Sequence, residues 1–252
     1  MAPKRLSPRI GEYFARDDAA AQWWGVSFES GGRYAEQLRF LSEQVDPAGK
    51  VVLDAATGRG RFAIHFARQG AASILAVDIA AKMIEVARAN AERHGVAPRI
   101  EFRVGDLLEA RFAEASFDVI TLMEVLVHLP EPERVLAALA RALKPGGWLA
   151  VNYDFPLAPW VTYPIDLLQR RDQRMYRTVE QTIDALEGTA AEGDARIVTR
   201  PRDAYRGLGR RYVARLLERS GLRPVAAMPE HTRCFGRRFP IAIGRMELAQ
   251  RV

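Results

Sequence analysis

The chain has 252 residues, of which 48% are hydrophobic and 27% charged, with a formal net charge of +6 and a single cysteine. That balance suits one large globular domain or two small ones and excludes a disordered or fibrous chain, while a lone Cys234 excludes an internal disulfide or a multi-thiolate metal site. The four histidines (His65, His94, His128, His231) lack paired-ligand spacing, so no metal is expected, and the absence of a long apolar run or a secretory leader points to the cytoplasm.

Taken in chain order, an aromatic-rich start (Tyr13-Phe14, Trp23-Trp24) leads into helical spacing at Tyr34, Leu38, Leu41 and Val45. Val51-Val52-Leu53 is a short apolar strand ending at Asp54. A glycine turn follows, then a helix through Phe62 and Phe66 that stops at Gly70. Residues 73–77 form a second strand ending at Asp78. Ile79 to His94 reads as a helix with Ile79, Met83, Val86 and Ala87 on one face and Gly95 as its cap. Residues 100–104 form a third strand before Gly105-Asp106. Phe117–Met123 is a fourth, its largely apolar run expected of a strand covered on both faces. Pro132 opens a helix carrying Val135, Leu136, Leu139 and Leu143, Lys144-Pro-Gly-Gly147 ends it, and Trp148–Val151 is the fifth strand. Residues 155–210 carry no strand–helix repeat and read as a helical insertion. Residues 211–220 form a last helix, and Val225–Met228 with Phe239–Ile243 form a closing hairpin.

Alternating strands and helices predict right-handed crossovers and a doubly wound, mostly parallel α/β sheet that binds its ligand beyond the carboxyl ends of the strands. Asp54, Asp78, Asp106, Glu124 and Asp154 all fall at or just after strand ends, which places five carboxylates along one rim. Gly58-Arg-Gly-Arg-Phe-Ala63 with Asp78 twenty residues on could pass for a dinucleotide fingerprint. Against this, the first glycine does not sit on the strand end, and Asp54 beside it would repel a pyrophosphate but suits a cationic ligand.

The run Val51-Val-Leu-Asp-Ala-Ala-Thr-Gly-Arg-Gly60, with Asp78, Gly105-Asp106, Ser116-Phe-Asp118 and Leu143-Lys-Pro-Gly-Gly147 in order, resembles the class I S-adenosylmethionine-dependent methyltransferases, in particular the ubiquinone/menaquinone-biosynthesis-like small-molecule group. The resemblance covers residues 50–154 and extends in pattern to 211–245. It implies a Rossmann-like seven-stranded sheet with a C-terminal antiparallel hairpin. It divides a single domain into an N-terminal helical cap (1–48), a cofactor core (49–154), a helical substrate-cap insertion (155–210), and the last helix and hairpin (211–252).

The resemblance also implies site roles. Asp54, Thr57, Gly58 and Gly60 line the methionine end of S-adenosylmethionine, Asp78 takes the ribose hydroxyls, Ile79 packs on the adenine, and Ala56 and Met83 also belong to the cofactor site. Asp106 accepts from the adenine amine with Leu107 beside it, and Glu124 lies under the amino-acid portion. Ala56 stands where the family has a glycine, which is tolerable if its φ stays negative. Arg33 is a candidate partner for the methionine carboxylate.

Methyl transfer from a sulfonium is an in-line displacement served by positioning, and a base is needed only for a protonated acceptor. His128, in Glu124-Val-Leu-Val-His128, is the candidate base and Asp154 its acidic partner, as at matching positions of some sugar and phenol O-methyltransferases; His128 could equally cap the next helix. The aromatics Tyr153, Phe155, Trp160, Tyr163 and Tyr176 could floor an acceptor pocket or pack the insertion. The expected function is methyl transfer to a small-molecule hydroxyl, yielding S-adenosylhomocysteine, with homodimerisation left open. The charge surplus lies in residues 212–252, which carry eight basic and three acidic side chains, so nucleic acid is disfavoured. The rivals are an RNA or protein methyltransferase using Arg233, Arg237 and Arg238, a non-catalytic cofactor-binding module, and an NAD-binding domain.

Overall fold

The computed structural model describes residues 33–126, 129, 131–154, 208–234 and 237–252. Helix α1 (Arg33–Gln44) precedes β1 (Val51–Ala55), α2 (Arg61–Arg68), β2 (Ser73–Asp78), α3 (Ala81–Arg93), β3 (Ile100–Val104) and β4 (Phe117–Leu122). Then come α4 (Pro132–Ala142), β5 (Leu143–Asp154), α5 (Arg210–Arg219), β6 (Leu222–Cys234) and β7 (Arg237–Arg251). The strands form one sheet in the order β3-β2-β1-β4-β5-β7-β6. β1 to β5 run parallel, whereas β7 is antiparallel to both β5 and β6. The order reverses between β1 and β4, and that crevice is where such sheets bind ligands.

Strand alternation splits the core into two layers. Leu53, Ile120, Leu149, Val151 and Ala249 face Val135, Leu136 and Leu139 of α4 and Val213, Leu216 and Leu217 of α5. Their neighbours Val52, Val119, Ala150 and Leu248 face Phe62 and Phe66 of α2, Ala91 of α3 and Leu41 of α1. With helices on both faces, the central strands are mostly apolar, and the polar Asp54, Thr121 and Asn152 among them are buried.

The helix stops anticipated at Gly70 and Gly95 are six-to-one turns. Ala71 N–H donates to Phe66 O at 3.1 Å, and Val96 N–H to Ala91 O at 3.0 Å. At the amino end of the sheet, Asp118 accepts from the Val51 N–H at 2.9 Å and pairs with Lys144 at 2.8 Å. A Cβ on Gly147 would lie 2.9 Å from Lys144 O. The Ser-Phe-Asp and Lys-Pro-Gly-Gly motifs thus secure the edge opposite the rim.

One expectation is corrected. The closing hairpin is far longer than Val225–Met228 and Phe239–Ile243, because β7 pairs along β5 from Trp148↔Gln250 to Asp154↔Gly244. Polar residues such as Arg245 and Gln250 hid this in the sequence; the ladder accepts them since backbone groups, not side chains, pair. Helix α1 packs onto one face of the sheet. Its Leu41 is fully buried, Ser42 Oγ lies 3.0 Å from His65 Nε2, and the Arg61 guanidinium sits 3.4 Å from the centre of the Tyr34 ring. Burial beside Arg68 lowers the His65 pKa to about 4, so this contact uses a neutral imidazole.

Candidate active site

The loop after β1 is held from below by Asp54. Its Oδ2 accepts from Thr57 Oγ1 at 2.6 Å and the Ala63 N–H at 3.1 Å, and its Oδ1 accepts from Thr121 Oγ1 at 2.6 Å. Ala63 lies in the first turn of α2, whose preceding Gly60 provides no side-chain cap, so Asp54 caps the helix from a neighbouring strand. Asp54 is 1% exposed, and burial raises its pKa against the pull of these bonds. Its place is therefore beneath the loop, which it shapes.

Within the loop φ is 60° at Ala56, 53° at Gly58 and 82° at Gly60. The expectation of a negative φ at Ala56 is overturned. Thr57 N–H must reach Val77 O of β2, at 2.8 Å, immediately after the strand, which turns the chain left-handed at residue 56. Alanine there stores about 1–2 kcal/mol that glycine would not. At Gly60 a Cβ would meet the Ala87 Cβ at 3.1 Å, so glycine also permits close approach of α3. Asn90, buried on α3, donates to Arg59 O at 2.9 Å and accepts from Arg93 at 2.6 Å. This loop brace had no sequence signature.

Asp78 ends β2 directly beside the loop. Its Oδ2 accepts from the Gly58 N–H at 2.8 Å and its Oδ1 from the Ala80 N–H at 2.9 Å. Burial pushes its pKa up to about 6, with the Asp54 charge adding to the rise. Ile79 is half-buried beside it and Met83 buried on α3. Asp106, half-exposed after β3, accepts from the Leu108 N–H at 2.9 Å. Leu107 is buried in the α4-side core.

Glu124 follows β4 with φ 61°. It is hydrogen-bonded to Asn152 and Gln37, which in turn bond Glu230, and sequence reasoning singled out none of the three. Asp154 ends β5, half-buried, and its backbone carbonyl accepts from the Leu208 N–H at 2.8 Å. Tyr153 is a core residue, 2% exposed, with its hydroxyl donated to Glu247 Oε1 at 3.0 Å. His128, Phe155, Trp160, Tyr163 and Tyr176 lie outside the described residues, as does the Arg33 side chain. A nearby cation that the sequence reading passed over is Arg61, 8% exposed, whose charge acts on Asp54. Among the described residues no His/Cys/Asp/Glu group could hold a metal ion, and no helix is long and apolar enough to cross a membrane.

Residues 52–147 match the family described as methyltransferase domain. The fold, the carboxylate-braced loop and this match agree. The core is that of a class I S-adenosylmethionine-dependent methyltransferase. Among curated relatives, the ubiquinone biosynthesis O-methyltransferase of Neisseria meningitidis serogroup A is 36% identical over 153 residues, which cover 58% of this chain and 63% of the relative. The chain thus spans less than two thirds of that relative's length. Among solved structures, the cyclase SpnF superposes with a TM-score of 0.67 at 15% identity, covering 97% of this chain and 96% of that one. Magnesium protoporphyrin IX methyltransferase from Synechocystis PCC 6803, solved with S-adenosylhomocysteine bound, gives 0.65 at 16% identity, covering 98% and 100%. Both likenesses concern the fold.

Proposed function

We propose that this protein transfers the methyl group of S-adenosylmethionine to a hydroxyl oxygen of a small-molecule acceptor. The observation that carries the reading is the rim itself. A glycine loop braced by Asp54 opens beside Asp78 and Asp106 in one crevice, an acidic setting that tolerates a sulfonium and disfavours a diphosphate. Asp78 serves the ribose, Ile79 and Asp106 the adenine, and Thr57, Gly58 and Gly60 the methionine end. Arg61, braced on Tyr34 beside the loop, is assigned to the methionine carboxylate.

The acceptor oxygen attacks the methyl carbon in line, the carbon–sulfur bond breaks, and the electron pair neutralises the sulfonium to the thioether. A hydroxyl acceptor must lose its proton, and His128, two residues past Leu126, is the assigned base with Asp154 as its partner. An imidazole of ordinary pKa near 6.5 suits that task. Residues 155–207 leave β5 at Asp154 and return at Leu208, which is hydrogen-bonded to Asp154, so both ends of the insertion lie at the rim. This supports its role as the acceptor cap. The name of the Neisseria relative supports oxygen as the target.

The test is thermal shift with S-adenosylmethionine, S-adenosylhomocysteine and NAD, followed by transfer of labelled methyl to a panel of phenols and other hydroxylated small molecules. Stabilisation by the two adenosyl ligands and a methylated ether product are expected. Stabilisation by NAD alone would overturn the reading. His128→Ala should remove transfer to the hydroxyl while leaving cofactor binding intact.

A further inference from the structure

Four polar side chains from four separate segments meet beside the carboxyl end of β4, and the assignments above use only one of them, Glu124. Gln37 of α1 and Glu230 of β6 are fully buried, and Asn152 of β5 is 2% exposed. Asn152 grips Glu124 twice: its Oδ1 accepts from the Glu124 backbone N–H at 2.6 Å, and its Nδ2 donates to Glu124 Oε1 at 2.5 Å. Gln37 Nε2 donates to Glu124 Oε1 at 3.2 Å and to Glu230 Oε1 at 2.5 Å. Asn152 Nδ2 also reaches the Glu230 carboxylate at 3.3 and 3.4 Å. Two amides therefore bridge two carboxylates.

Buried carboxylates are costly to desolvate, and an apolar set of equal volume would hold the elements together as well or better. The arrangement makes sense if Glu124 must be held in one geometry. Its φ of 61° is unfavourable for a side chain with a Cβ and persists only when the surroundings over-determine it. The Asn152 amide does this, fixing backbone and carboxyl of the same residue. Gln37 Oε1 is buried with no hydrogen-bond partner among the described residues, so it is an acceptor that an N–H donor would satisfy. Glu124 follows β4, and β4 pairs with β1 where the strand order reverses, so the cluster borders the crevice.

We infer that Asn152 is a positioning residue, backed by Gln37 and Glu230, that holds the Glu124 carboxylate for the ammonium group of the cofactor's amino-acid portion. The closing hairpin and α1 then both set cofactor affinity, although neither belongs to the glycine loop. The inference rests on the cofactor reading above.

It is tested by calorimetric titration of the full chain with S-adenosylhomocysteine and with 5′-methylthioadenosine, which lacks the amino-acid portion. Wild type, Asn152→Ala, Glu124→Ala and the double variant are compared, with folding checked by circular dichroism. Asn152→Ala should weaken S-adenosylhomocysteine at least tenfold, the scale of a lost bond to a charged group, and leave methylthioadenosine unchanged. The double variant should bind no more weakly than Glu124→Ala, because Asn152 acts through Glu124. Equal loss for both ligands, unchanged affinity for both, or multiplying effects in the double variant would overturn the inference. If Asn152→Ala does not fold, Gln37→Met is read by the same ligand comparison. Failure of wild type to bind either ligand would instead sink the cofactor reading.

Discussion

Asp54 offers the sharpest test of how the loop is built. Replacing it with alanine leaves the Thr57 and Thr121 hydroxyls and the Ala63 N–H, all now bonded to its carboxylate, without their acceptor. A lost cap costs about 1 kcal/mol and each hydroxyl bond about another 1 kcal/mol, so Asp54→Ala should destabilise the free protein by about 3 kcal/mol. For a chain of this size that lowers the melting temperature by about 6–12 °C. Asparagine is a different perturbation. Its Oδ1 can accept from Thr57 and Ala63 while its Nδ2 donates to a rotated Thr121 hydroxyl, and it removes a charge that burial already disfavours. Asp54→Asn should therefore cost no more than about 1 kcal/mol. Urea unfolding of the ligand-free protein, followed by circular dichroism, measures both. If asparagine costs as much as alanine, the negative charge is the essential feature and the hydrogen-bond account fails. An alanine variant within about 0.5 kcal/mol of wild type would refute any bracing role.

Other consequences are equally measurable. Asp78 holds its proton up to about pH 6 in the free protein, so S-adenosylhomocysteine affinity should fall as pH drops through 6, and Asp78→Asn should flatten that profile. The sign for stability is opposite: the folded state binds the extra proton between the ordinary 3.8 and about 6, so Asp78 makes the free protein less stable as pH rises through that window, readable as a difference between wild type and Asp78→Asn. Gly60→Ala should cost about 1–2 kcal/mol from its left-handed φ alone and weaken cofactor binding, as its Cβ pushes on Ala87. Gly244→Ala places a Cβ 2.7 Å from Tyr153 O and 2.8 Å from Asp154 Oδ1. It should cost about 2–3 kcal/mol in urea unfolding and suppress methyl transfer by displacing Asp154.

The order of strands and helices and the acidic rim were legible in the linear chain. A parallel sheet covered on both faces demands apolar strands such as Phe117–Leu122, and each strand must end where the backbone leaves the core, which is where Asp78 and Asp154 stand. Glycine at 58 and 60 was legible because residues without a Cβ are read directly as backbone geometry. What only the tertiary structure decided is who holds these pieces. Asp54 caps a helix it does not belong to, Asn90 braces Arg59 from α3, and Glu124 is gripped by Asn152 and Gln37, 28 and 87 positions away. Even the basic C-terminal surplus is partly internal: Arg245 pairs with Glu247 at 2.7 Å, and Arg251 donates to the Arg141 carbonyl at 2.9 Å. Local spacing encodes periodicity and turns, whereas a hydrogen bond between distant segments depends on the packed register of the sheet, and no pattern along the chain records that register.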